Sequence, residues 1–347
     1  MASKQQAAEP QPNKRPVIST VEPLAAITGG ELHIRGQRLA SAGRPIVRLG
    51  TQSAQLMVAG DSYIIARVPE AAMVGELMVT TGDLQSDLRE THIGIQIADS
   101  LHPVANPAID REGNVYSTFS GSRGQKSPVS IYKVDTNYNS KPFVTDLMNP
   151  TGLAFDRDGL LYVSSRYDGI VYQITPTGNM TVYVEGMGVA TGIAFDSEEN
   201  LYVGDRSGTI FKISRSRQIY VFATLEPSIA AYHLAFGPED YLYVTGPTTS
   251  SFDTVHRISK AGEVEMFYRG LGRPQGLAFD GAGRLYVAAS LKGRRGIVRF
   301  DSSGNPEQFL SGPGIVGLAF TPSKAMVLAT QSALFRVDVD IAGRRLN

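Results

Sequence analysis

The chain has 347 residues, and its 33 basic and 33 acidic side chains give a formal net charge of zero. This length allows about two domains with buried cores, and the neutral balance provides no overall attraction to nucleic acid or anionic membranes. The absence of cysteine excludes disulfides, thiolate metal sites and a cysteine nucleophile. The 36 glycines and 15 tyrosines, with no tryptophan, indicate short strands joined by tight turns, so we predict an all-β repeat protein.

Residues 1–15 are polar and contain no apolar run, so we predict a disordered N-terminal arm. A secretory signal needs an apolar stretch of about 7–15 residues, and a membrane helix needs about 18. The sequence has neither pattern. We therefore expect a cytoplasmic protein without a membrane span, and export by another route stays open.

Residues 16–98 contain alternating apolar runs separated by turn signals, which predicts a small β-sandwich. An opening Pro16-Val-Ile-Ser-Thr-Val-Glu-Pro23, a Gly29-Gly30 pair before a strand and a Val68-Pro69 pair after another resemble an IPT/TIG domain, an immunoglobulin-like module. That resemblance implies a spacer or protein-contact unit. Residues 99–106 are expected to form a linker.

The segment from residue 107 to 347 repeats itself. Gly152-Leu-Ala-Phe-Asp156 followed by Leu161-Tyr-Val163 returns with Phe195, Phe236, Phe279 and Phe320 in the phenylalanine position, in steps of 40, 41, 43 and 41 residues. A worn copy around Ile109 makes six units. Each unit contains apolar runs of 3–5 residues with turns between them, which predicts four strands per unit and a six-bladed β-propeller.

The pattern Gly-Leu-Ala-Phe-Asp-x-x-Gly-x-Leu-Tyr-Val resembles NHL-type repeats and the wider propeller group that includes gluconolactonase-like and virginiamycin-lyase-like proteins. The resemblance implies the fold, but propellers carry many unrelated activities. It therefore leaves the function open.

The innermost strand of each blade lines the axial channel, so the residues before Leu-Ala-Phe are expected at one channel mouth. The first slot holds Ala105, Thr151, Thr191, Tyr232, Gln275 and Val316. The second slot holds Asn106, Gly152, Gly192, His233, Gly276 and Gly317. Neither slot contains a carboxylate.

The resemblance implies that gluconolactonase-like propellers hold a metal with Glu, Asp and Asn side chains at this mouth, and that the lyases use a histidine and magnesium. Hard divalent ions require oxygen ligands, carboxylates among them. Because the aligned slots lack them, we expect no metal site, no cofactor and no catalytic residue. His233 is the one imidazole near the mouth.

In two adjacent units the slot residues, Tyr232 with His233 and then Gln275, differ from the Thr and Gly of the preceding units. We predict a ligand contact at the mouth formed by Tyr232, His233, Gln275, Thr151 and Thr191, which suits a polar uncharged group. The alternatives are drift in one blade for His233 and solvated lining for Tyr232 and Gln275.

Arginines recur shortly before the third strand of four units. They are Arg123, Arg166, Arg206 and Arg294, the last followed by Arg295. They form a candidate basic rim for an anionic ligand or an RNA backbone, or they bond turn carboxylates such as Asp168 and Asp205. No aromatic stacking pattern accompanies them, which argues against nucleic acid.

Asp110, Asp156, Asp196 and Asp280 recur after the phenylalanine position, where a turn-forming role explains the repetition. The leading interpretation is a non-enzymatic binding or scaffold protein whose propeller mouth or face binds a protein, a glycan or a small polar ligand. The alternatives are a divergent lactonase-like hydrolase or lyase, and an RNA-binding propeller. The oligomeric state is not determined by these patterns.

Overall fold

The computed structural model describes residues 15–73, 75–250 and 252–344. Most of the predicted N-terminal arm, residues 1–14, lies outside them. Within the described residues the only helical element is a 3-10 turn at Pro238–Asp240, and all other regular elements are strands. The predicted all-β class is confirmed. No helix in this part of the chain is long and apolar enough to cross a membrane.

The N-terminal part forms two sheets. Its strands are β1 (Val17–Glu22), β2 (Ala25–Ala26), β3 (Glu31–Gln37), β4 (Ile46–Leu49), β5 (Gln52–Ser53), β6 (Gln55–Ala59), β7 (Tyr63–Arg67), β8 (Glu76–Thr81), β9 (Leu84–Gln85), β10 (Arg89–Glu90) and β11 (His92–Ile93). One sheet has the order β1-β3-β7-β6, and the other has the order β10-β8-β4-β5 with β9 paired to β8. Alternate side chains from both sheets, such as Leu32, Ile64 and Val79, are buried in one shared core.

The rest of the chain forms further sheets. Their strands are β12 (Ile95–Ala98), β13 (Ala108–Ile109), β14 (Val115–Thr118), β15 (Ile131–Val134), β16 (Ser140–Val144), β17 (Pro150–Phe155), β18 (Leu161–Ser165), β19 (Val171–Ile174), β20 (Met180–Val184), β21 (Ala190–Phe195), β22 (Leu201–Asp205), β23 (Thr209–Ile213), β24 (Ile219–Thr224), β25 (His233–Phe236), β26 (Leu242–Thr245), β27 (Asp253–Ile258), β28 (Val264–Leu271), β29 (Leu277–Phe279), β30 (Leu285–Leu291), β31 (Arg294–Phe300), β32 (Pro306–Ser311), β33 (Ile315–Phe320), β34 (Ala325–Thr330) and β35 (Leu334–Asp338).

These strands pair with their sequence neighbours into antiparallel sheets, which we number along the chain as ring sheets 1 to 6. Ring sheets 1 to 5 begin with β13, β17, β21, β25 and β29, and ring sheet 6 has the order β12-β35-β34-β33. Each first strand contacts the first strand of the next sheet, and β33 contacts β13, so the first strands close into a ring. The predicted repeat therefore corresponds to consecutive sheets around one axis.

Two short segments from the N-terminal side complete the ring. Strand β12 pairs antiparallel with β35, placing Ile97 in the core between ring sheets 6 and 1. Strand β2 runs parallel to β32 and β11 runs parallel to β2, which extends ring sheet 5 outward. The sequence interpretation assigns residues 95–98 to the sandwich, whereas in the structure they pair with β35 and cover its edge.

The recurring aspartates build turns, as predicted. Asp196 Oδ1 accepts bonds from the amides of Glu198 and Asn200 at 2.9 and 2.8 Å, and its Oδ2 accepts a bond from the Tyr202 hydroxyl at 3.2 Å. Asp280 repeats the arrangement with Ala282, Arg284 and Tyr286. Each aspartate thus ties a turn to the second strand of its own sheet.

The repeated Phe and Tyr side chains pack between sheets. Phe195 contacts Tyr162 of the preceding sheet edge to face, with ring centroids 4.9 Å apart. The same geometry joins Tyr116–Phe155, Tyr202–Phe236, Tyr243–Phe279 and Tyr286–Phe320. The prediction that each Phe lies between neighbouring repeats is therefore confirmed.

Candidate functional site: the axial cavity

A cavity of about 300 Å³ lies on the axis of the ring. It extends from the level of Gly152 and Gly192 to the ends of the first strands, where Phe155 and Phe195 lie, and Gly343 and Arg344 line it near the C-terminal end of the described chain. Its walls consist mainly of Leu, Ala and Phe side chains from the first strands. Several sheets therefore form the cavity together, and its lining includes polar as well as apolar surface.

The glycines at the narrow end allow the first strands to approach closely. A Cβ atom on Gly152 would lie 2.5 Å from the Thr191 carbonyl oxygen, and one on Gly192 would lie 2.4 Å from the Tyr232 carbonyl oxygen. Both distances are shorter than real Cβ contacts, so a larger residue would push adjacent sheets apart. The repeated glycine in the second slot thus has a packing cause.

Asn106 occupies the same slot in ring sheet 1 and crosses the axis. Its Nδ2 donates to the Leu277 carbonyl oxygen at 2.8 Å, and its Oδ1 accepts a bond from the Leu318 amide at 3.1 Å. These contacts link ring sheet 1 to sheets 5 and 6. Both polar atoms of the amide have structural partners, so Asn106 closes this end of the cavity.

His233 occupies the same slot in ring sheet 4, which lies opposite ring sheet 1 and its Asn106 in the ring. It is 4% exposed and lines the cavity, and its ring nitrogens have no hydrogen-bond partner among the described residues. Burial lowers the pKa of His233 to about 4, so the imidazole is neutral at pH 7. A neutral imidazole has one donor and one acceptor nitrogen, and both are free to meet a ligand group.

Arg344 is the other ionisable side chain among the residues that line the cavity. Its backbone amide donates to the Phe279 carbonyl oxygen at 2.9 Å, and its Nε is buried without a partner among the described residues. The charge of Arg344 also helps to lower the pKa of Asp240, after hydrogen bonds from Ser197 and Lys260. Asp240 is itself ion-paired with Lys260 at 2.9 Å.

The structure separates the other predicted mouth residues from the cavity. Thr191 Oγ1 donates to the Gly204 carbonyl oxygen at 2.8 Å, and Thr151 Oγ1 donates to the Asn149 carbonyl oxygen at 3.3 Å. The hydroxyl of Tyr232 donates to the Glu226 carbonyl oxygen, and burial raises the pKa of Tyr232 to about 12. Both threonines and the tyrosine are buried with their hydroxyls bonded inside the protein.

Gln275 lines a different pocket of about 350 Å³ beside Arg273, Arg295 and Gln331. Of the five predicted contact residues, only His233 therefore faces the axial cavity. Sequence reasoning missed the cavity's apolar wall, although the repeated Leu-Ala-Phe segments carry it.

The predicted basic rim divides into two groups. Arg166 is half-buried, and its pKa is lowered by burial and then by the charges of Arg206 and Arg123, so these three arginines lie near one another. Arg166 donates to the Gly121 carbonyl oxygen at 2.7 Å and Arg206 to the Ser228 carbonyl oxygen at 3.2 Å, rather than to turn carboxylates. Arg294 and Arg295 lie elsewhere, beside the N-terminal part.

Within the described residues, no group of three or more His, Cys, Asp or Glu side chains is arranged to hold a metal ion. The sequence predicts no metal ligands at the aligned slots, whose polar side chains include Thr, Gln, Asn and His. The structure adds that the Asn106 amide is already bonded to two backbone groups.

No protein-family model matches the chain, and no curated protein sequence matches it. Solved structures do. A gluconolactonase from Xanthomonas campestris is 15% identical with a TM-score of 0.61 over 72% of this chain and 90% of that one. An auxiliary nutrient binding protein from Bacteroides ovatus is 11% identical with a TM-score of 0.56 over 96% and 99%.

Virginiamycin B lyase from Staphylococcus aureus is similar as well, with 14% identity and a TM-score of 0.53 over 94% of this chain and 95% of that one. At such identities the similarity shows the fold alone. The ring thus has the fold of the gluconolactonase-like β-propeller group, a group that the sequence pattern resembles.

Proposed function

We propose that the protein is a non-enzymatic binding protein that holds a small uncharged ligand in the axial cavity. In this proposal the six ring sheets are the blades of an NHL-like propeller over residues 107–347, closed by β12, and the N-terminal sheets are an IPT/TIG-like sandwich. The sandwich adds a surface for a protein or glycan partner.

One observation carries the proposal: His233 brings a neutral imidazole to the wall of a cavity that is otherwise built mainly from Leu, Ala and Phe side chains, and no described residue hydrogen-bonds its ring. Ligand sites combine apolar walls with a few polar groups that fix orientation, and about 300 Å³ is at the small end of their range. The His233 nitrogens are reachable from the cavity. A ligand hydroxyl or carbonyl that bonds one of them in exchange for water would gain about 0.5–1.5 kcal/mol, the usual net value of one hydrogen bond.

The walls define the ligand further. Phe155, Phe195 and Phe236 offer apolar contacts, and His233 offers one hydrogen-bonding group. A small molecule with an apolar body and one hydrogen-bonding group fits this arrangement.

The test is a calorimetric screen of small sugars and neutral aromatic compounds against the wild type, His233→Gly and His256→Gln. His233→Gly introduces the residue that four of the other five repeats carry at this slot. His256 is a matched histidine of the same ring sheet outside the cavity. We expect His233→Gly to weaken binding about twofold to tenfold, the range for one neutral hydrogen bond, and His256→Gln to leave it unchanged. Equal binding to the wild type and His233→Gly would contradict the proposal.

The hydrolase or lyase alternative uses the same imidazole as a proton acceptor, and the structural neighbours include both enzymes and nutrient binding proteins. Lactone and cyclic-peptide substrates, supplied with calcium, magnesium or manganese, distinguish the two functions. We expect no turnover above the buffer rate. Turnover that disappears in His233→Gly would replace the binding function with the enzymatic one.

The RNA-binding alternative would use the group formed by Arg123, Arg166 and Arg206, whose mutual proximity is the observation in its favour. Phosphate contacts make such binding depend strongly on salt. We expect no binding of single-stranded RNA at physiological salt, measured by fluorescence anisotropy.

A further inference from the structure

A second cavity lies where the N-terminal part meets ring sheet 5. This junction cleft has a volume of about 500 Å³. It is lined by Pro23, Gly29, Gly30, Glu31, His33 and Arg67 on one side and by Gly293, Arg294, Arg295, Gln308, Ser311, Gly312 and Pro313 on the other. It is separate from the axial cavity, and the proposed function does not use it.

Hydrogen bonds fix the floor of the junction cleft. The Ile27 amide donates to the Ser311 carbonyl oxygen at 3.0 Å, and the Glu31 amide donates to Ser311 Oγ at 2.8 Å. A Cβ atom on Gly30 would lie 2.4 Å from the Ser311 carbonyl oxygen, so the two backbones are in direct contact there. The cleft is therefore a built feature of the fold, held by the β2–β32 pairing.

The charges in the junction cleft do not cancel. Arg67 forms an ion pair with Glu31 at 3.1 Å. Arg294 and Arg295 are exposed, and neither has a carboxylate partner among the described residues. One ion pair and two unpaired guanidinium groups leave a formal charge of about +2 in the cleft at neutral pH.

Two further groups point to a ligand. The pKa of His33 is lowered by burial and then by the charge of Arg294, so this arginine lies close enough to affect the imidazole across the junction. Gln308 donates from Nε2 to the Leu310 carbonyl oxygen at 2.8 Å, while its Oε1 is buried without a partner. The cleft thus combines two free cations with an acceptor that lacks a donor.

We propose that the junction cleft binds a small organic dianion. Guanidinium groups bind carboxylates and phosphates through paired charge-assisted hydrogen bonds, which gives geometric preference as well as affinity. The two free arginines, Arg294 and Arg295, match two negative charges. Because its walls come from two parts of the chain, the ligand would also strengthen their contact.

The experiment is isothermal titration of the full chain with L-malate, succinate, inorganic phosphate and glucose. We expect one-to-one binding of malate and of succinate, because both are dianions, and no binding of glucose. Phosphate as the tightest ligand would support the dianion and identify a phosphoryl rather than a dicarboxylate group. If all three anions fail to bind below millimolar concentration, the proposal is overturned.

Arg294→Gln and Arg295→Gln should each weaken malate binding at least about tenfold, since each removes a charge-assisted bond. The matched control is the double variant Lys292→Gln, Arg269→Gln, which removes two exposed cations that do not line the cleft. It should bind malate like the wild type. An equal loss in this control would show a general charge effect and overturn the site.

A second readout does not depend on affinity. Arg294→Gln should raise the pKa of His33, followed by NMR, because a positive neighbour is removed. Saturating malate should raise the same pKa in the wild type, because the anion offsets Arg294. If the His33 pKa shifts neither in Arg294→Gln nor on addition of malate, the placement of the ligand in this cleft is contradicted.

Discussion

The ring contains two kinds of seam between neighbouring sheets. Five seams are joined by an edge-to-face pair of Tyr and Phe, as between Tyr162 and Phe195. The sixth seam, between ring sheets 6 and 1, has Val327 and Ile109 at the corresponding repeat positions. Its core is formed instead by aliphatic residues that include Ile97 of β12.

The difference shows two ways to hold a closed β-structure together. In the five repeated seams, each Tyr also contacts an aromatic side chain on the outer strand of its own sheet, as Tyr162 contacts Tyr183 at 4.9 Å. In the sixth, stability comes from a strand that lies far away in sequence. We therefore expect local substitutions to weaken the first kind and disturbance of β12 to weaken the second.

The largest effect is expected for Phe195→Ala. Phe195 is 5% exposed and packs between two sheets, and truncating a buried Phe costs about 3–5 kcal/mol. Ile109→Ala, at the same repeat position in the sixth seam, should cost less than about 2 kcal/mol because that side chain is only partly buried. Urea unfolding measures both, and equal losses would remove the distinction between the seams.

Ile97→Ala should be next. Ile97 is 7% exposed in the core of the sixth seam, so we expect a loss of about 2–4 kcal/mol. Hydrogen exchange should speed up first in β35, which loses the support of β12. Gln96→Ala, an exposed neighbour on the same strand, is the control and should cost less than about 0.5 kcal/mol. Unchanged exchange in β35 would argue against closure by this strand.

The five repeated seams could be predicted from the sequence, because Phe195 and its counterparts recur at the repeat period beside small residues. The turn role of Asp196 followed from the same recurrence. The sixth seam could not be predicted in this way. Residues 95–98 carry no copy of the repeat and follow a segment of different texture, so their pairing with β35 depends on contacts remote in sequence.

The candidate site was predicted only at His233. Aligning repeats gives the level of a residue along the axis, but successive side chains on a strand point to opposite faces. Tyr232 and His233 are adjacent in sequence, yet one is bonded inside the protein and the other lines the cavity. Arg294 lies apart from the other rim arginines, beside the N-terminal part, because β30 and β31 are longer than their counterparts and reach that far.

His233 departs from the repeat within the five repeated seams, and the pH dependence of the unfolding free energy tests whether it is buried as a neutral ring. Its folded pKa of about 4 lies below the ordinary 6.5, so the unfolded chain binds more protons between these values. The contribution of neutral His233 to stability is complete above about pH 6.5 and is lost as the pH falls toward 4. Between pH 7.5 and 5 we expect a loss of about 2 kcal/mol.

The measurement for His233 is the free energy of unfolding in urea at both pH values for the wild type and His233→Gly. From pH 7.5 to pH 5 the wild type should lose about 2 kcal/mol of stability relative to His233→Gly, because the other titrating groups are common to both proteins. A constant difference would mean that His233 is not buried as a neutral ring.

The smallest loss of stability is expected when a Tyr hydroxyl is removed and its aromatic ring is kept. Tyr202→Phe keeps the edge-to-face contact with Phe236 and removes the bond to Asp196 at 3.2 Å. Asp196 retains two backbone amides and Asn200, so the cost should be about 1 kcal/mol, the value of one hydrogen bond. Tyr220→Phe, with half of its side chain exposed in the same sheet, should change stability by less than about 0.5 kcal/mol. A cost for Tyr202→Phe as large as that for Phe195→Ala would mean that the Tyr–Asp bond, rather than aromatic packing, joins the repeated seams. Val327, at the tyrosine position of the sixth seam, would then mark the loss of a hydrogen bond.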